Sequence, residues 1–170
     1  LHSRIVKIIC FALTVGISKR ENVIDVSLLE FCVRTHLNEE APRAMAVLDP
    51  LKISIINYNE NKEESVNFDI NPQKPGQGKR EILFSKNIYI EREDFQENPE
   101  EGFFRLSPGE EVRLKNAYII KAKNIIKNEK GQTTEVECEY DEKSKSGSNT
   151  EESNRRVKAT IHWVLSLIHI

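Results

Sequence analysis

Between residues 38 and 58 the chain reads Asn-Glu-Glu-Ala-Pro-Arg-Ala-Met-Ala-Val-Leu-Asp-Pro-Leu-Lys-Ile-Ser-Ile-Ile-Asn-Tyr, and its periodicity changes inside this stretch. Upstream, Ser27 and Glu30 have the spacing of a capping box, and Leu28, Leu29, Phe31, Cys32 and Val33 form a broad apolar stripe at helical spacing. Asn38 lies just past that stripe, and asparagine tolerates the left-handed backbone that ends helices. Downstream, Leu51, Ile53 and Ile55 alternate with Lys52 and Ser54, the period of a strand with one buried face. Pro42 and Pro50 each fix their own φ and disfavour helix at the residue before, so a helix cannot run through. The pattern predicts a short helical segment to about residue 37, then strands from about residue 44. Arg43 sits at the junction on a stiff backbone. It either caps the preceding helix, pairs with Glu39 or Glu40, or presents its guanidinium to a partner.

The rest of the chain is strand, turn and loop. Glu63–Phe68 is a weak second strand, and 69–79, with two prolines and two glycines, is a long loop. Ile82–Ile90 alternates around an interruption at 85–87. Residues 93–95 suggest one short helical turn, and Ser107-Pro-Gly109 a tight turn. Val112 to Ile126 is too long for a straight strand and is expected to bend near Asn116. Asn128-Glu-Lys-Gly131 predicts a hairpin returning along 133–140. Residues 143–154, rich in Ser, Lys and Glu, are expected to be a flexible loop, and 157–164 a final strand. Short strands at this spacing, without intervening helices, predict a mainly β fold, an antiparallel sheet closed or nearly closed into a barrel, preceded by a short α-helical segment. Residues 4–15 are apolar all round and predict a buried or half-buried helix stopped at Gly16.

Net charge is −2, so any polyanion partner must be held by local clustering. One cluster comprises Arg113, Lys115, Lys121, Lys123 and Lys127. The three cysteines, Cys10, Cys32 and Cys138, have no C-x-x-C spacing, which argues against zinc and a disulfide framework and fits a reducing cytosol. The N-terminal apolar stretch contains Arg4 and Lys7 and is too short for a membrane span, so no membrane partner is expected. It reads as the cut end of a larger protein.

Catalytic chemistry is not legible. None of the four histidines has a second ligand at metal spacing or a nucleophile beside it, so no catalytic or metal residues are assigned. Pro75-Gly-Gln-Gly lacks the Lys-Ser/Thr of a phosphate loop.

Residues 38–52, Asn-Glu-Glu-Ala-Pro-Arg-Ala-Met-Ala-Val-Leu-Asp-Pro-Leu-Lys, closely resemble the segment of glutaminyl-tRNA synthetases that joins the catalytic part to the anticodon-binding part. Collinear matches surround it: Asn22-Val-Ile-Asp-Val-Ser-Leu-Leu-Glu-Phe, Asn71-Pro-Gln-Lys-Pro-Gly, Phe103-Phe-Arg-Leu, Gly109-Glu-Glu-Val-Arg-Leu-Lys-Asn-Ala-Tyr and Ile161-His-Trp-Val. The resemblance implies a helical connector over 1–37 and the first anticodon-binding barrel over 38–164. That barrel is six-stranded and shared with the ribosomal protein that binds 5S RNA. It further implies that a second barrel would be threaded in after Val164, which would leave this barrel incomplete with an open edge. Residues 165–170 depart from the family and read as a non-native tail.

The implied partners are the anticodon loop of a glutamine tRNA and the rest of the synthetase chain, in the cytoplasm. The implied contact residues are Asn38, Arg43, Gln73, Arg105, Arg113 and Lys115. In the family, Arg43's position meets the middle anticodon base and Arg105's the third. Those of Arg113 and Lys115 lie near the first base and its phosphates. Lys115 stands where Arg is usual, a point charge in place of a planar fork. ATP belongs to the full-length parent. The His-x-Gly-His turn and Met-Ser-Lys-Ser loop that hold it are absent here, so this chain alone is expected to be non-catalytic, with no cofactor of its own. The remaining readings are a glutamyl-tRNA synthetase barrel, a free-standing barrel for ribosomal RNA, and a protein-interaction barrel.

Overall fold

A computed structural model describes residues 9, 11–16 and 23–165. It divides into two compact units. One holds the chain up to Arg43 together with 69–79, and the other holds 44–68 and the chain from 80 onward.

In the first unit, residues 11–15 are helical and end at Gly16, whose φ of 75° favours glycine. Phe11 and Val15 are half-buried, while Ile9 and Leu13 are exposed. Residues 17–22 lie outside the described residues. Helix α1 spans Val26–Glu40. Its N-cap is Asp25, whose Oδ1 accepts the Ser27 N–H at 2.8 Å. The cap is therefore Asp25, not Ser27: a carboxylate two residues earlier reaches the free donor first. At the other end α1 runs two residues past Asn38. Pro42 then holds Ala41 extended, at φ −80° and ψ 136°, and the Ala41 N–H closes on the Leu37 carbonyl.

The second unit carries the sheet. Its strands are β1 Pro50–Ile55, β2 Glu64–Asp69, β3 Lys79–Phe84, β4 Asn87–Glu91, β5 Glu111–Leu114, β6 Ile119–Lys127, β7 Thr133–Asp141 and β8 Thr160–Ile161. A short helix α2, Glu151–Asn154, precedes β8. Six strands form one sheet in the order β4-β1-β7-β6-β5-β8, and β2 pairs with β3 separately. Tyr89 of β4 and Val164 just after β8 exchange both backbone bonds, at 2.8 and 2.9 Å, so the sheet's two ends meet in a nearly closed barrel. The open edge expected near residue 164 is bridged at this point. Leu51, Ile53, Ile88, Ile90, Val112, Leu114, Ile120, Val136 and Trp163 fill the interior.

The barrel is mixed, not purely antiparallel. β1–β4, β5–β6 and β6–β7 are antiparallel, but β1 runs parallel to β7, pairing Lys52 with Glu135, and β5 parallel to β8, pairing Arg113 with Thr160. Alternation shows which face a strand buries, not the direction of its neighbour. Parallel neighbours need long connections, and these two pairs are separated by whole hairpins. The expected bend near Asn116 is a tight reversal. Asn116 takes φ 58°, and β5 folds back on β6. The predicted turn at 128–131 is present, with Gly131 at φ 76°. Strand β1 begins at Pro50, six residues later than the first position read as strand. The final strand shrinks to β8 and the Val164 bridge.

Candidate functional site

Three of the implied contact residues lie in the first unit, where they share one network. Helix α1 ends with carbonyls that have no helical partner. Arg43 Nη2 donates to the Asn38 Oδ1 at 2.9 Å and to the Asn38 carbonyl at 3.3 Å. The Arg43 backbone N–H donates to the Ile70 carbonyl at 2.8 Å. Asn71, fully buried, donates through Nδ2 to the carbonyls of Glu39 (2.9 Å) and Asn38 (3.3 Å), and its Oδ1 accepts the Gln73 N–H at 3.0 Å. The helix-capping reading of Arg43 is the one these bonds match. One end of its guanidinium caps the helix, while Nη1 and Nε have no protein partner among the described residues. Glu40 pairs with Lys74 instead, at 2.9 Å. The Gln73 side chain is exposed. Sequence reasoning did not single out Asn71. A buried asparagine beside a proline is the one signal that could have done so, since its amide must find partners.

The other three lie in the second unit. Arg113 is half-buried and heavily engaged. Its Nη1 donates to the Ser144 carbonyl (3.0 Å) and Ser146 Oγ (3.3 Å), and its Nη2 to the carbonyls of Ser153 (2.9 Å) and Arg155 (3.1 Å). Burial, with Arg155 nearby, pulls its pKa down. These bonds tether residues 144–155, so the stretch expected to be a flexible loop is a fixed one. The buried Ser144 adds to this by donating to the Asp141 carbonyl and accepting the Ile119 N–H at 2.8 Å. All four terminal N–H groups of Arg113 are engaged inside the protein, and contact with an outside partner would require breaking some of them.

Lys115 is the opposite case. Its ammonium is exposed and makes no ion pair among the described residues. Its backbone is fixed on both sides: the N–H donates to the Ile161 carbonyl at 2.9 Å, and its own carbonyl accepts the Trp163 Nε1–H at 3.0 Å. Arg105 is half-exposed and forms an ion pair with the buried Asp94, Nη1 to Oδ1 2.7 Å. His162 is held beside this region by Nε2 donating to the Ala46 carbonyl at 3.0 Å. The basic cluster on β6 is largely neutralised, with Lys123 on Glu139 and Lys127 on Glu97, each at 2.7 Å. The positive charge legible in the sequence is therefore not a free patch.

Glu64 is a further centre that sequence reasoning missed. Its carboxylate accepts from Tyr58 Oη (2.7 Å), Tyr118 Oη (2.9 Å), Lys62 Nζ (2.9 Å) and Lys145 Nζ (2.6 Å). Each of the two ammonium groups also lies over a tyrosine ring, Lys62 over Tyr58 and Lys145 over Tyr118. Burial would raise its pKa, but the bonds from Lys145, Lys62, Tyr58 and Tyr118 outweigh that and hold it at about 2. Four donors meet on this one carboxylate, which ties the segments that carry them together.

Residues 41–141 match the family described as tRNA synthetases class I (E and Q), anti-codon binding domain. The chain belongs to this family. Over 154 residues, 91% of this chain, it is 49% identical to a glutamine–tRNA ligase of Clostridium perfringens, 47% to one of Bradyrhizobium diazoefficiens and 46% to one of Psychromonas ingrahamii. It spans 28%, 27% and 28% of the length of those three curated relatives. As a class I (E and Q) anticodon-binding domain, the chain has a mostly β barrel and, among its described residues, no helix long and apolar enough to cross a membrane.

Proposed function

We propose that this chain is the part of a cytoplasmic glutamine–tRNA ligase that grips the anticodon loop of a glutamine tRNA. The remainder of such an enzyme would join glutamine to that tRNA with ATP. The observation that carries the reading is Arg43. It is half-buried, fixed through its backbone on Ile70 and through Nη2 on Asn38, yet Nη1 and Nε remain without a protein partner among the described residues. A guanidinium already ordered loses little further entropy on binding, and unpaired loop bases present the acceptor edges that such a fork reads. Asn38 is then the residue that aims Arg43, and Gln73 an exposed amide on the same network. In the barrel unit, Lys115 supplies an ammonium unpaired among the described residues and suited to phosphate.

The test is a titration of this chain against two anticodon stem-loops, one for glutamine and one altered at its middle base, at several salt concentrations. Arg43→Ala is expected to reduce the preference between the loops by about 1–3 kcal/mol, the worth of a base-edge contact. Lys115→Ala is expected to weaken both loops alike and to flatten the salt dependence by up to about one unit of slope. An unchanged preference in Arg43→Ala, with wild type discriminating, would make Arg43 a helix cap and nothing more.

A further inference from the structure

The strongest unassigned feature of the barrel unit is a buried acid behind an exposed base. Asp94 ends a short 3-10 turn, Arg92–Asp94, and its side chain is only 8% exposed, whereas that of Arg105 is 51% exposed. The segments that carry them are joined twice. Oδ1 of Asp94 meets Arg105 Nη1 at 2.7 Å, and the Asp94 carbonyl accepts the N–H of Leu106, the next residue, at 3.0 Å. Leu106 is fully buried, its own carbonyl accepts the Gln96 N–H at 3.1 Å, and it bridges Phe95 in parallel. The backbone that carries Arg105 is thus bonded to the residues on both sides of Phe95, and the end of its side chain is held by the carboxylate. Its other guanidinium donors have no protein partner among the described residues.

As a stability device this arrangement is poor. A carboxylate taken out of water and met by one half-exposed cation recovers little of its desolvation penalty. Burial raises the Asp94 pKa in spite of Arg105 and His162, with Glu91 and Glu93 adding to the rise. The arrangement is better suited to orientation.

We propose that Asp94 is a positioning residue that locks the Arg105 guanidinium in one orientation for reading an unpaired RNA base, and that it cancels the arginine's charge so that the contact selects sequence without adding general affinity. This rests on the reading of the chain as an anticodon-loop binder. A guanidinium fixed at one Nη presents its remaining donors as a rigid fork, the geometry that distinguishes base edges, while a neutralised pair releases few counterions.

The experiment compares wild type, Asp94→Asn and Arg105→Gln against the glutamine stem-loop and three variants, each changed at one anticodon base, across a salt series, with a thermal melt of each protein. Asp94→Asn is expected to melt no lower than wild type. It should lose roughly two- to twelvefold of the preference at one base, the worth of ordering one long side chain. Its salt dependence should become steeper by up to about 0.7 of slope, because a cation has been released. Arg105→Gln should lose preference at that same base. The proposal is overturned if Asp94→Asn fails to fold or weakens all four loops equally, either of which would make Asp94 structural. It is also overturned if Asp94→Asn keeps full discrimination, or if Arg105→Gln does. If wild type itself does not distinguish the loops, the anticodon-loop reading fails first and this one with it.

Discussion

Trp163→Ala is expected to destabilise the barrel by about 3–5 kcal/mol, the usual range for deleting a buried large aromatic side chain. Trp163 is fully buried and meets Phe84 edge-on, with ring centroids 5.0 Å apart, and Phe68 at 6.2 Å. Its Nε1–H is the partner of the Lys115 carbonyl, so truncation leaves both a cavity and a part-buried acceptor without its donor. It also stands next to Val164, whose two bonds to Tyr89 join the ends of the sheet. Denaturant titration of wild type, Trp163→Ala and Trp163→Phe measures this. The phenylalanine variant keeps most of the packing and loses the donor, and should fall between the other two. A loss below about 1 kcal/mol in the alanine variant would show that the barrel closes without this ring. Because Trp163 fixes the Lys115 backbone, the alanine variant should also lose the Lys115-dependent part of the salt slope.

Glu64→Gln is the second large effect, and it depends on pH. The carboxylate's pKa is held at about 2 against an ordinary value of 4.5. A depressed folded-state pKa contributes stability above the unfolded value, and this is lost as pH falls from about 4.5 toward about 2. The shift is of the order of 3 kcal/mol, and since the Glu64 side chain is only 14% exposed, solvent screening removes little of it. Glu64→Gln should therefore be less stable than wild type by up to about that amount at pH 7. The two proteins should converge as the pH approaches 2. The raised pKa of Asp94 acts with the opposite sign in both proteins and cancels in the comparison. At the alkaline end, burial and the Glu64 carboxylate push the Tyr58 and Tyr118 hydroxyls above their ordinary 10.0, so stability should fall as pH rises past that value. A Glu64→Gln deficit that stays constant between pH 7 and pH 2.5 would show that the loss is one of packing, not of charge.

Much of the local architecture was legible in the residues. Pro42 and Pro50 separated helix from strand because a proline acts on its own φ and on the residue before it, which needs no tertiary context. The turns at 107–109 and 128–131 were readable for the same reason: Gly109 and Gly131 take φ 79° and 76°, which few other residues adopt. The alternation of Leu51, Ile53 and Ile55 announced one buried face. Recognition of the site went further than these signals allow. Arg43 could be named from the resemblance, but its bonds to Asn38 and Ile70 depend on a carbonyl and an amide oxygen that no spacing rule picks out.

Tertiary structure alone decided the rest. Parallel pairing of β1 with β7 and of β5 with β8 joins segments tens of residues apart, and no local pattern states the direction of such a neighbour. The stretch 143–154 has the composition of a free loop. It is held because Arg113, on a strand distant in sequence, finds three acceptors there and a fourth at Arg155 just beyond, three of the four being backbone carbonyls common to every residue type. The cluster of five basic residues looked like an electrostatic surface until folding set Glu139 and Glu97 against two of them and turned Arg113 onto its loop. Sequence determines which groups can bond and which stretches can bend. Which donor meets which acceptor across the barrel is set by closure of the sheet, because each such pair forms only after distant strands have come together.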